Sequence, residues 1–216
     1  MDQIDEYEQG ERVRAWLKNN GSSLITGVAL GLAALGGWNW WQVQGEVRKV
    51  EAAAEFLAFT RASEAGETAK AAAHAQVLRQ DYPKTIYSAL VALADARRLV
   101  DEGKGEEALA ALDGVAREGL DPATVEVLDL RAARVLATLG RHEDVLKRLE
   151  GKAFAGNAGT AAELRGDAHL ALGQREQARE AYEAALAALD LAAATRGMVE
   201  MKFTEAGGSL PDNPEA

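Results

Sequence analysis

No charged side chain lies between Lys18 and Glu46. The centre of this uncharged run, from Leu24 to Trp41, is built from Leu, Ile, Val, Ala, Gly and Trp, with Thr26 and Asn39 as its polar residues. A bilayer core needs ~20 mostly apolar helical residues, and no other stretch of the chain is long enough. The expected architecture is one transmembrane helix over 22–42, a short tail before it and a large polar domain after it. Two alternatives compete with it. A buried soluble helix rarely stays uncharged for so long. A cleavable signal peptide has small residues available at Ala34-Leu35-Gly36. Against that, the preceding tail is long and acidic, and the run ends in Trp38, Trp40 and Trp41. Indole rings prefer the headgroup level, and Trp16 stands near the other interface.

Orientation follows from the nearest bases. Arg12, Arg14 and Lys18 precede the span, whereas Arg48 and Lys49 follow it. Acids count little in this rule, so Asp2, Asp5, Glu6, Glu8 and Glu11 do not reverse it. The bias predicts a cytoplasmic N-terminus and an exported domain, which in a bacterium is periplasmic. Residues 1–21 read as a cytoplasmic tail with a short interfacial helix, its apolar face formed by Val13, Trp16 and Leu17, stopping at Asn20-Gly21. Within the span, Gly27 and Gly31 are one turn apart, a spacing that lets another helix approach. Small residues are also simply common in such helices.

The domain after the span is acidic. The chain carries −10 overall, −2 of it from residues 1–45 and so −8 from residues 46–216. That argues against nucleic acid or anionic lipid as the domain's main partner. Cysteine is absent, which rules out disulfide and thiolate chemistry. Ala, Leu, Glu and Arg dominate, and two of the four prolines fall in the last six residues, so the domain is expected to be all-α.

The segment Ala162–Ala185 carries small residues at Gly166 and Ala178, a helix-ending Gly173 and a large Tyr182. It resembles a tetratricopeptide repeat, two antiparallel helices in close contact. Related offsets recur around Gly66, Gly103 and Gly140. Ala96 and Ala133 precede the second and third of these glycines, and Ala71, Ala108 and Val145 follow the three. The four glycines are 37, 37 and 33 residues apart, close to the ~34 of such a repeat. About four helix pairs in residues 43–204 would stack into an α-solenoid with a concave face, although a plain helical bundle has the same pattern. Val43, Val47, Val50, Ala54 and Leu57 continue helical spacing from the span into the first pair. Leu191, Met198, Val199, Met201 and Phe203 read as a final capping helix, and 205–216 as a disordered tail.

Catalytic chemistry is not visible. His74, His142 and His169 fall on separate repeats, without metal-ligand spacing. A core role suits His169. No phosphate loop, nucleophile elbow or carboxylate pair is present, so neither a cofactor nor a small-molecule substrate is expected. Arg97, Arg134 and Asp167 share one offset in consecutive repeats, on the face that lines the groove. Arginines there would take a carboxylate from a bound chain. The favoured alternative is an internal ladder pairing Arg134 with Asp167, with Asp101 and Asp129 nearby.

The order of parts resembles a family. An acidic tail with Tyr7-Glu8, the segment from Val13 to Gly21, one Gly-rich span ending in Trp and a small repeat domain are shared with the YfgM family of ancillary subunits of the bacterial SecYEG translocon. Leu130–Val135 and Ala162–Ala168 look like that family's repeat helices. The resemblance implies a non-catalytic protein in the inner membrane beside SecYEG, linking it to periplasmic chaperones, above all the membrane-anchored isomerase PpiD. A membrane-anchored repeat scaffold for envelope assembly or stress signalling is the alternative.

Overall fold

The computed structural model describes residues 2–210. The side chains of residues 2–9, 11, 13 and 24 also fall outside the described set, and with them the acidic tail and the Val13 end of the expected interfacial face. Every regular element among the described residues is an α-helix. The chain divides into two units, Met1–Glu51 and Ala52–Ala216.

Among the described residues, the first unit lies within α1 (Asp2–Glu64). This helix does not stop at Asn20-Gly21. The Asn20 side-chain amide donates to the Trp16 carbonyl at 3.1 Å, one turn back, instead of ending the helix. Trp16, Trp38, Trp40 and Trp41 are all exposed. So is the surface around Gly27 and Gly31, where an added Cβ would meet nothing within 4 Å. No single helix among the described residues is long and apolar enough to cross a membrane. The pair Arg14–Ser23 and Ile25–Glu64, meeting at 46°, satisfies length and composition together.

The second unit begins with the end of α1 and continues through α2 (Thr68–Asp81), α3 (Ile86–Asp101), α4 (Gly105–Asp113), α5 (Pro122–Thr138), α6 (His142–Leu149), α7 (Ala158–Ala171), α8 (Arg175–Ala188) and α9 (Arg196–Glu205). Each helix from α2 onward packs on its successor, and α3 on α5 and α5 on α7 as well, which is how stacked hairpins bury a shared core. The end of α1 joins through side chains. Ala52, Ala75, Leu78 and Val91 form a small core with Phe56, Phe59 and Tyr87, and Phe56 lies 5.4 Å from Tyr87 ring to ring.

Gly66, Gly103, Gly140 and Gly173 all adopt φ between 71° and 75°. In each case the residue after the glycine donates back to a carbonyl five positions earlier. The bonds are Glu67 to Ala62, Lys104 to Leu99, Arg141 to Leu136 and Gln174 to His169, at 2.7–2.9 Å. This is the glycine-dependent cap that satisfies orphan carbonyls and reverses the chain into the next helix. Five residues beyond the last three glycines, Ala108, Val145 and Ala178 are fully buried. Gly140 has open space around it, so Gly140→Ala tests the backbone alone. It should cost about 1 kcal/mol, the penalty for a Cβ in the left-handed region, read as a lower melting temperature. An unchanged value would show that the cap tolerates an L side chain.

A fifth cap extends beyond α9. Gly207 has φ 94°, and Gly208 donates to the Phe203 carbonyl at 2.9 Å. Order therefore continues past residue 205, where the sequence suggests a tail, and residues 211–216 lie outside the described residues. Val199 and Phe203 are buried, whereas Met198 and Met201 are exposed, because α9 presents only one face to the solenoid; Leu191, in the segment before α9, is exposed too and not part of that helix.

Candidate functional site: the groove between α3 and α5

Helices α3 and α5 start the second and third repeats and stand side by side. On α3, Leu93, Arg97 and Val100 follow one another at helical spacing. On α5, Val127, Arg131, Arg134 and Thr138 do the same. Both rows line one cavity of about 570 Å³, with Leu112 of α4 at its base. Its floor is apolar and its rim is charged, carrying Arg97, Arg131, Arg134 and a single acid, Asp101. The three arginines are exposed. Among the described residues, none of their guanidinium groups has a hydrogen-bond or ion-pair partner.

The ladder expected between Arg134 and Asp167 is not formed. Asp167 of α7 accepts the Tyr182 hydroxyl at 2.8 Å and the Lys202 ammonium at 2.9 Å. Lys202 reaches from α9 and also holds Glu163 at 2.7 Å. Burial alone would pull the Lys202 pKa down, but the two carboxylates outweigh it and hold the ammonium above its ordinary value. Burial, reinforced by Asp167, pushes the Tyr182 phenol far above its usual range. The shared offset thus has two fates. In the last repeat it holds an acid engaged by the cap helix, and in the two before it holds arginines without a partner. Arg97 and Arg134 line one groove, and Asp167 belongs to a different contact.

Asp129 is elsewhere too. It is 3 % exposed and receives Arg117 at 3.0 Å, Arg148 at 3.2 Å and Lys152 at 2.8 Å. Arg131 is the groove residue that the repeat offsets missed. It stands one turn before Arg134, so helical spacing from that residue would have found it. The histidines serve local contacts. His74 Nδ1 lies 2.7 Å from Glu55, tying α2 to α1. His169 is half-buried and paired with Gln174 at 2.6 Å rather than enclosed in the core, since it lies at the turn where α7 ends. His142 Nδ1 is buried without a partner.

A stack of helical hairpins, each turned by a positive-φ glycine, defines a helical-repeat protein. A family profile for a tetratricopeptide repeat-like domain matches residues 14–208. A protein of Escherichia coli (strain K12) named ancillary SecYEG translocon subunit is 33% identical over 92% of this chain and 95% of its own length. One of the same name from Haemophilus influenzae is 26% identical over 84% of this chain and 89% of its own. Another from Aggregatibacter actinomycetemcomitans is 27% identical over the same shares. The chain belongs to this family of ancillary SecYEG translocon subunits, built on a tetratricopeptide repeat-like domain. No solved structure matches it.

Proposed function

We propose that this protein is a non-catalytic, single-span subunit that sits beside the SecYEG translocon in a bacterial inner membrane and links it to periplasmic chaperones. The observation that supports the translocon part of this reading is the near full-length likeness to proteins named ancillary SecYEG translocon subunit, across the uncharged run as well as the repeats. Residues 1–21 are then cytoplasmic, 22–42 span the bilayer and 43–204 form the periplasmic interaction domain. The uncharged run with tryptophans at its end supports the span. Arg12, Arg14 and Lys18 support the orientation. The isomerase PpiD is the chaperone that the family resemblance suggests.

Two measurements test this. A reporter active only outside the cytoplasm, fused after Phe203, should be active, and activity of a cytoplasm-only reporter there would refute the topology. Crosslinking in intact cells followed by purification in mild detergent should recover SecYEG subunits and a membrane-anchored chaperone. Recovery of envelope-assembly proteins without the translocon would favour the scaffold reading instead.

A further inference from the structure

We propose that the α3–α5 groove binds an acidic amphipathic helix of a partner protein, with carboxylates on Arg97, Arg131 and Arg134 and apolar side chains over the floor. This rests on reading the domain as an interaction module and specifies the chemistry of what that module takes.

Charge pairing carries the argument. Of the ten other arginines among the described residues of the domain, seven are matched to carboxylates, and the exceptions, Arg61, Arg165 and Arg175, are scattered, whereas Arg97, Arg131 and Arg134 line one groove. Arg98, next to Arg97, holds Glu102 and Asp95. Arg117, Arg141 and Arg148 hold Asp129, Glu106 and Asp113 respectively, among others. The three groove arginines have no such match, within a region whose net charge is −8. Three neighbouring guanidinium groups repel one another and attract carboxylates, each able to take two hydrogen bonds in a fixed geometry. Asp101, the one acid on the rim, leaves an excess of two positive charges.

The chain itself shows how such a face is covered. At the offset of Arg97 and Arg134 one repeat later stands Asp167, and Lys202 from a packed helix, α9, bridges it to Glu163. The α3–α5 face has the opposite sign, so its complement is a helix bearing acids. Arg131 and Arg134 are one turn apart, which suits carboxylates at i and i+3 or i+4 on a facing helix. The apolar floor and the volume of about 570 Å³ give the other face of that helix a place to bury side chains.

The test uses the full-length protein in detergent and a fluorescein-labelled helical peptide with Glu at i, i+4 and Leu on the adjoining face. A twin peptide carrying Lys for Glu is the control, and vesicles containing phosphatidylglycerol form a separate arm. Anisotropy should show the acidic peptide binding and the Lys twin failing to bind, with affinity falling as salt rises. Arg97→Glu with Arg134→Glu should weaken binding at least about tenfold, and Arg131→Ala less. Both sets of residues are exposed, so helical circular dichroism and melting should be unchanged. Equal binding of the two peptides, or binding indifferent to the charge reversal, would overturn the proposal. So would arginine-dependent binding of the vesicles without the peptide, which would make the groove a membrane contact. Failure of the parent protein to bind the acidic peptide, with its translocon co-purification intact, would sink the groove chemistry and leave the broader function standing.

Discussion

Replacing Gly166 with alanine is expected to destabilise the last repeat by about 2–3 kcal/mol, the upper part of the range for overpacking. A Cβ built at Gly166 would stand 2.5 Å from the Tyr182 ring. The ring has no room to retreat. It is fully buried, and its hydroxyl is tied to Asp167, which is in turn held by Lys202. Gly105 and Gly159 look similar by distance, at 2.6 Å and 2.8 Å, but their nearest contacts are the flexible ends of Leu139 and Leu189. Those substitutions should cost less. Gly197 supplies the control. It lies in α9 with nothing within 4 Å of an added Cβ, so Gly197→Ala should be neutral or stabilising by up to about 0.5 kcal/mol through helix propensity. The same chemical change should therefore move the melting temperature in opposite directions. If Gly166→Ala melted like the parent, the close contact between α7 and Tyr182 would be wrong.

The repeat architecture was legible because its signals are local and periodic. A glycine that must take positive φ is recognisable by its recurrence, and a small residue at a fixed offset marks where two helices touch. Gly66, Gly103 and Gly173 met both conditions, and Gly140, with Val145 at that offset, met the first. The start of α5 was equally local. Asp121 caps it by accepting from the Thr124 amide at 3.0 Å, and Pro122 follows at the first helical position. Gly207 lies 34 residues after Gly173, on the same period, yet a polar Gly-Gly-Ser context hid it. Composition overrode periodicity there, and periodicity was the better guide. The ion pairs were not legible. Asp129 meets partners 12, 19 and 23 positions away, and Asp167 is claimed by Lys202 at 35. Which of several nearby bases reaches an acid depends on helix stacking, and no spacing rule within one helix encodes it. Shared repeat offset grouped Arg97 and Arg134 with Asp167, and packing separated them.

Asp129→Asn should be the most destabilising single change on a charged residue here, by about 3 kcal/mol near neutral pH. Removing one partner of a buried ion cluster leaves the others uncompensated, which costs ~3–5 kcal/mol in comparable sites. The lower end applies because Arg117 and Lys152 retain partial access to water, at 32% and 42% exposure. Lys152 comes from the segment after α6, Arg148 from α6 and Arg117 from the loop before α5, so this one carboxylate ties three stretches of chain together. The sign of the pH dependence follows. Burial by itself raises the Asp129 pKa, but Lys152, Arg117 and Arg148 outweigh it and hold the carboxyl below its usual 3.8. A folded-state value below the unfolded one means that the carboxylate's contribution is complete above the ordinary carboxylate range. It is lost as pH falls through that range toward the lower folded value. Melting curves of the parent and Asp129→Asn should therefore be far apart at pH ~7 and converge as the pH is lowered past ~4. Asp144→Asn provides the contrast. Its partner Arg141 is 42% exposed and Asp144 itself 44%, so the loss should stay under about 1 kcal/mol. Equal melting temperatures for the parent and Asp129→Asn at neutral pH would show that the buried cluster adds no net stability.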